Sequence, residues 1–300
     1  MKQQLRRTML YVPGNNPGMI KDAGIYGADC IMFDLEDSVS LNEKDAARFL
    51  VYEALTSLDL GDKEHLVRIN SLESGLGLAD LEAIVRTGKA VIRLPKTETP
   101  QDVLECEAEI ARIEEAAGLQ VGSTNMMAAV ESAAGVLNAR EIALSSPRLI
   151  GIAIGAEDYV TDLKTTRSED GIELLFARSA ILLAARAAGI DAIDTVYSDV
   201  NNEEGLRKEV QLIRQLGFDG KSIINPRQIG IIHEIYTPTK KDIDHALAVL
   251  DAIQQAERKG SGVISLNGKM VDRPIVLRAQ RVISLAKASG VLKEGVYAQD

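Results

Sequence analysis

Eight short apolar runs, most ending in a charged or polar cluster, recur along this chain and sharply limit what it can fold into. They are Met9–Pro13, Cys30–Asp37, Leu66–Asn70, Val91–Lys96, Met126–Glu131, Leu149–Asp158, Ala192–Ser198 and Ser222–Arg227, spaced roughly twenty to forty residues apart. An amphipathic stretch long enough for a helix follows each, which is the pattern of repeated βα units. The segments 30–35 and 149–154 are continuously apolar, as parallel strands buried on both faces are. Eight such units close into a (β/α)8 TIM barrel, an α/β fold whose chemistry sits where the strands end. Glu36, Asp37, Arg68, Lys96, Glu131 and Asp158 stand at those ends and are the first candidates for function.

The chain has 300 residues, more than the about 250 that a barrel usually takes. The expected division is a barrel over 1–240 and a C-terminal helical and lid extension over 241–300. Within the extension, 240–258 is amphipathic, Lys259–Gly262 reads as a turn, and 263–274 reads as a short hairpin or lid with Asn267-Gly268 at its tip. A last helix is expected over 275–289. Inside the barrel region, Leu104, Ala108, Ala111 and Ile113 are expected on the buried side of a helix over 101–117, with glutamates largely opposite. The segment 172–189 is apolar nearly all round, which points to a helix packed between the barrel and something else, such as another subunit.

Composition narrows the function classes. Apolar residues make up 46%, ample for a full core, whereas aromatics make up 4% with no Trp. Stacking platforms for single-stranded nucleic acid are therefore not expected, and a net charge of −10 argues against any polyanion partner. Cys30 and Cys106 are the two cysteines, too few for a disulfide framework or a zinc site, so a reducing cytoplasm is the expected compartment. No segment reaches the ~20 continuous apolar residues of a membrane span, and Met1–Thr8 leads into a strand without a signal-type apolar stretch. His65, His233 and His245 are scattered and suit neither a zinc site nor a Ser–His pair. Gly217–Ser222 carries the end of a phosphate-loop pattern, but Gln215 stands where that pattern needs Gly, and no GxSxG elbow occurs.

Glu131 and Asp158 are the strongest pair. They end the fifth and sixth runs, and adjacent strands lie ~4.8 Å apart, so both carboxylates can reach one cation. Two carboxylates with waters and substrate oxygens suit Mg2+, which rarely takes a complete protein cage. Either carboxylate alone is as readily a helix cap. Glu36 and Asp37 add negative charge at the second strand end; four converging acids would repel one another unless a divalent ion relieved them, with Asp37 holding a water near it. Asp34 and Asp37 also read as caps of the second helix. Arg68 and Lys96 end strands three and four, where cations beside a metal favour a carboxylate-bearing substrate or a developing enolate. A Schiff base at Lys96 is possible, but the neighbouring acids favour a metal.

The motifs Leu10–Gly14, Phe33-Asp-Leu-Glu-Asp-Ser38, Val67-Arg-Ile-Asn70, Val130-Glu-Ser-Ala-Ala-Gly135, Gly155-Ala-Glu-Asp-Tyr159 and Gly268-Lys-Met-Val-Asp272 together resemble the citrate lyase β-subunit family, within the HpcH/HpaI aldolase-like group. The resemblance runs in order from near residue 7 to near residue 289. It implies a Mg2+-dependent lyase that cleaves a citryl thioester, on coenzyme A or on an acyl carrier, to oxaloacetate and an acetyl thioester. By resemblance Glu131 and Asp158 are the metal ligands and Arg68 the substrate-binding arginine. Asp272, supplied from the lid of a neighbouring subunit in a homotrimer, is the acid that protonates the enolate. The family also implies an acyl-transferase α subunit and an acyl-carrier γ subunit as partners. Relatives that use free coenzyme A tend to carry basic residues after the Val-Pro-Gly turn. Here Asn15–Asp22 has Lys21 alone, which favours a phosphopantetheine arm on a carrier, with Asn225 and Pro226 along its path. Malyl-CoA or β-methylmalyl-CoA cleavage is the alternative within the family, and a non-catalytic scaffold the alternative outside it.

Overall fold

The computed structural model describes residues 4–258, 265–266 and 269–292. They divide into two compact units, one over Arg6–His233 and one that begins at Glu234.

The first unit is a closed barrel of eight parallel strands in sequential order. The strands are β1 (Thr8–Pro13), β2 (Cys30–Asp34), β3 (Glu64–Arg68), β4 (Val91–Leu94), β5 (Met126–Val130), β6 (Leu149–Ile154), β7 (Asp191–Asp194) and β8 (Gly220–Ile223). β8 closes on β1 through Thr8↔Lys221, Met9↔Ser222 and Leu10↔Ile223. Between them run α1 (Pro17–Asp22), α2 (Lys44–Ser57), α3 (Gly77–Val85), α4 (Pro100–Ala116), α5 (Ala133–Leu137), α6 (Ala139–Ala143), α7 (Ala156–Asp162), α8 (Leu175–Ala188) and α9 (Glu203–Leu216), and α10 (Arg227–Tyr236) follows β8.

The local reasons are visible residue by residue. Strand residues of alternating parity face opposite ways. Met9, Cys30, Met32, Leu66, Val91, Met127, Ala153 and Ile193 accordingly meet as one interior cluster. α4 starts at a capping box, Thr99 with Asp102, with Pro100 in its first turn. Its buried face is Val103, Cys106, Ile110 and Ile113; of the expected residues Ile113 is buried, whereas Leu104 is 43% exposed. The 3- and 4-residue steps from Val103 define the face, and Leu104 lies one residue, about 100°, away from it. Glu114, expected on the solvent side, is fully buried because Arg148 pairs with it at 2.7 Å and the amides of Gly122 and Thr124 donate to it.

The apolar runs overestimate the strands at their C-terminal ends. β2 stops at Asp34 and β4 at Leu94, so Glu36, Asp37 and Lys96 lie on loops. Asp158 does not end a strand: β6 stops at Ile154 and Asp158 sits in the first turn of α7. Nor do Asp34 and Asp37 cap the second helix, which begins ten residues after Asp34, at Lys44. The segment expected to be apolar all round forms α8, whose buried face includes Arg178; Leu183 and Phe176 face outward. Arg178, Lys221, Asp194 and Glu209 form a buried charge cluster behind β7 and β8, with Lys221 Nζ 2.9 Å from Asp194 and 2.5 Å from Glu209. Asp194 has the parity opposite to Ile193 of the interior cluster, so these charges lie under α8 and α9 rather than in the barrel.

In the second unit, α11 (Lys240–Arg258) and α12 (Arg273–Ala288) pack on each other through Ile243, Ala246 and Val249 against Ala279, Ile283 and Ala286. Between them β9 (Ser265–Leu266) and β10 (Lys269–Met270) pair antiparallel, as a hairpin requires. The expected turn at Lys259–Gly262 and the tip at Asn267-Gly268 lie outside the described residues. Among the described residues, no helix is long and apolar enough to cross a membrane.

Candidate active site

The alternation that builds the interior cluster carries polar groups to the top of the barrel. Two residues beyond Met9, Met32, Leu66 and Val91 come Tyr11, Asp34, Arg68 and Arg93, and four beyond Met127 comes Glu131. All five line one cavity of about 430 Å³, with Pro13, Asp37, Gly155, Asp158, Thr195 and Ser222 among its other walls.

Strand register brings Asp34 beside Arg68. The pair is bidentate, with Nε 2.7 Å and Nη2 2.8 Å from the two Asp34 oxygens. Nη1 lies 2.9 Å from Glu36 and 3.3 Å from Asp37, and the guanidinium sits 5.1 Å above the Tyr11 ring. Burial alone would raise the Asp34 carboxyl, but Arg68 and the loop hydrogen bonds at Ser38 and Glu36 hold it below the usual carboxylate range. Lys96 adopts a left-handed backbone, φ 49°, a conformation that costs a non-glycine residue on the order of 1 kcal/mol or more. Its ammonium lies 3.0 Å from Glu36 and 4.0 Å from Asp37. Arg68 and Lys96 thus offset part of the charge of Asp34, Glu36 and Asp37, three carboxylates against two cations, and Glu131 and Asp158 are the pair without an ion-pair partner among the described residues.

Glu131 follows β5 directly and is 7% exposed. Its Oε2 is buried with no hydrogen-bond partner among the described residues. Burial first, then the charge of Glu36 and a hydrogen bond shared with Asp158, push its carboxyl up to about 8, against the opposing pull of Arg68 and Arg93. Arg68 and Arg93 do not offset that penalty, so the Glu131 carboxyl sits where an additional cation would favour its charged form. Gly155 makes room for it: a Cβ there would stand 2.6 Å from Glu131 Cγ. The first turn of α7, which carries Asp158, is anchored by the Ala156 amide donating to Thr195 Oγ1 at 3.1 Å.

No group of three or more His, Cys, Asp or Glu that could hold a metal occurs among the described residues. A complete protein cage is therefore absent there, but an orphaned carboxylate oxygen beside a second carboxylate in an open cavity fits Mg2+, which keeps waters and takes one or two carboxylates.

Other expected site residues fall elsewhere. Asn225 opens α10, accepting from the Arg227 amide at 2.9 Å, and Pro226 follows it; neither lines the cavity, although Ile224 does. Asp272 caps α12 in the second unit, its side chain accepting from the Ile275 amide at 3.2 Å. In the sequence Asp34 reads only as a helix cap, and Tyr11, Gly155, Thr195 and Arg93 are passed over. An arginine inside the apolar run Val91-Ile-Arg-Leu94 was the available signal for the last.

Comparison with known proteins bears on this geometry. Residues 7–226 match the model of the HpcH/HpaI aldolase/citrate lyase family. The citrate lyase subunit beta of Leuconostoc mesenteroides subsp. cremoris is 60% identical over 296 residues, covering 98% of each chain. Among solved structures, CitE from Mycobacterium tuberculosis in complex with magnesium, acetoacetate and coenzyme A superposes with a TM-score of 0.75 at 31% identity, covering 95% of this chain and 98% of that one. A citrate lyase beta subunit from the same organism, complexed with oxaloacetate and magnesium, gives 0.66 at 32% identity over 77% of this chain and 96% of that one.

Proposed function

The chain belongs to the HpcH/HpaI aldolase/citrate lyase family, and we propose that it cleaves a citryl thioester to oxaloacetate and an acetyl thioester as the β component of a citrate lyase. The observation that carries this reading is the orphaned Glu131 oxygen beside Asp158, in one cavity with Arg68. The similarity to a citrate lyase β subunit over nearly the full length supplies the substrate class.

Glu131 and Asp158 hold Mg2+ in this reading. Bound there, the ion supplies Lewis-acid polarisation of the citryl hydroxyl and the carboxylate beside it. The chain's own groups do the rest. Loss of the hydroxyl proton to a water held by Asp37 would let the bond between the carbinol carbon and the thioester methylene break, leaving a ketone, oxaloacetate, and the enolate of the acetyl thioester. Arg68, fixed in direction by its two bonds to Asp34, presents a preorganised cation to the enolate oxygen. Asp37 holds a water near the carboxylate pair, and Lys96, half exposed on the loop after β4 and paired with Glu36, attracts the anionic substrate though it does not line the cavity. A proton on the enolate carbon completes the balance; Asp272 of a neighbouring copy supplies it, which makes a homotrimer the working assembly. An acyl-transferase and an acyl-carrier subunit complete the lyase, with the carrier's phosphopantetheine arm passing Asn225 and Pro226, in the cytoplasm.

Oxaloacetate release from synthetic citryl-CoA, with and without Mg2+, tests the reading for wild type and Asp158→Ala. Metal-dependent release that vanishes in the variant is expected. No release from citryl-CoA or from carrier-bound citrate, or a preference for malyl-CoA or β-methylmalyl-CoA, overturns the reading. Full activity in Glu131→Gln and Arg68→Ala complexes would indicate a scaffold instead.

A further inference from the structure

Arg93 is one of the largest fully buried side chains in the protein, yet among the described residues no carboxylate is within ion-pair distance of it, and Glu131 and Glu36 act on its charge only from farther off. Its Nε is buried without a hydrogen-bond partner, and the one bond its guanidinium makes is from Nη1 to the thioether sulfur of Met127, 2.9 Å away. A thioether is a weak acceptor. Burying a guanidinium on such terms costs several kcal/mol.

Strand register explains the isolation. The row of inward residues across neighbouring strands is Asp34↔Arg68 on β2 and β3, Arg68↔Arg93 on β3 and β4, then Arg93↔Met127 on β4 and β5. Asp34, the acid in that row, is taken by both forks of Arg68. Arg93 is left between a second arginine and a methionine, and its side chain lines the cavity. The other buried arginines in this unit, Arg148 and Arg178, each have two carboxylates, so an unpaired guanidinium is not this barrel's general habit.

The substrate class has an anion to match. A citryl group carries two carboxylates beyond its thioester. One lies beside the hydroxyl and belongs to the polarised end at Glu131 and Asp158. The other, on the methylene arm that becomes the distal end of oxaloacetate, needs its own counter-charge. We propose that Arg93 binds this second carboxylate, and so selects a tricarboxylate-derived thioester over analogues with a methyl group or hydrogen in that position. The inference rests on the functional reading above. Guanidinium–carboxylate pairing in a water-poor site is strong and directional, and a site built for it rejects a ligand lacking the group.

Arg93→Met is the informative variant, since Met is unbranched, of similar reach and already the neighbour at 127. Kinetics with citryl-CoA and citramalyl-CoA, whose methyl replaces the second carboxymethyl arm, should show the kcat/KM ratio falling about 100-fold or more, because the loss on citryl-CoA far exceeds that on citramalyl-CoA. Calorimetry with Mg2+ should show wild type binding oxaloacetate far more tightly than pyruvate and the variant binding both alike. Thermal unfolding without ligand should be unchanged or higher in the variant, because an unpaired buried charge has been removed; a merely structural arginine predicts a lower midpoint. Arg93→Gln, which keeps polar contact without charge, should show the same loss of discrimination and serves if the Met variant does not fold. Equal losses on both thioesters, or wild-type binding that does not distinguish oxaloacetate from pyruvate, overturns the proposal. Absence of citryl cleavage by wild type would instead overturn the functional reading, independently of Arg93.

Discussion

Gly155→Ala tests whether the position of Glu131 is what the site depends on. Gly155 has φ −101° and ψ 95°, a region open to L-residues, so alanine brings no backbone strain and restricts the unfolded chain by about 0.4–1 kcal/mol. Sterically the site is closed. The new methyl would stand 2.6 Å from Glu131 Cγ and 2.9 Å from both Cδ and Oε1, where ordinary contact begins at 3.4 Å, so the side chain must retreat by about 0.8 Å. The backbone cannot give way freely, because the Gly155 amide donates to the Val130 carbonyl at 2.9 Å and ties the ends of β5 and β6 together. Mg2+ demands near-ideal distances from its oxygens, and a misplacement near 1 Å costs on the order of 100-fold in rate. The expected result is a 10- to 100-fold fall in Mg2+ affinity by calorimetry and in kcat/KM for citryl-CoA, with thermal stability nearly unchanged. Wild-type Mg2+ affinity and turnover in Gly155→Ala would refute the assignment of Glu131, in this conformation, to the metal.

Two further predictions concern stability. Asp194→Asn leaves Arg178 and Lys221 buried against Glu209 alone, which Arg167 also shares, and should cost about 3–5 kcal/mol in urea unfolding; a loss below about 1 kcal/mol would show that Asp194 is not needed to hold the two buried cations. Arg148 and two loop amides, working against burial, draw the Glu114 carboxyl from its ordinary 4.5 down to about 2. A depressed carboxyl contributes stability above pH 4.5 that is lost as pH falls through 2, here up to roughly 3 kcal/mol. The stability gap between wild type and Glu114→Gln should therefore be full at pH 7 and narrow across that acid window; a gap independent of pH would contradict it.

The candidate site was legible where a residue's chemistry and its place at a strand end coincide. Glu131 and Arg68 follow from an apolar run closing on a charge, and the structure brings both to the same cavity. Asp158 lines the same cavity, but from the first turn of α7 and not from a strand end, because β6 stops at Ile154. Glu36 reads along the chain as a contributor of excess negative charge, and in the fold Arg68 and Lys96 pair with it while its charge still acts on Glu131. Which cation meets which anion cannot be read along a chain when the partners sit some thirty to sixty residues apart, as Glu36 does from Arg68 and Lys96.

The sequence alone determined the eightfold alternation of strand and helix, since apolar runs of strand length between amphipathic stretches bury their surfaces in few other ways. It also determined which side chains face the barrel interior, because parity along a strand is a local property. Only the tertiary structure decided their pairing. Lateral register set Asp34 against Arg68 and left Arg93 between Arg68 and Met127. A shift of two residues in one strand would preserve every inward-facing position and yet give each charge a different neighbour, and those neighbours are fixed by packing across strands, which no single run of sequence contains.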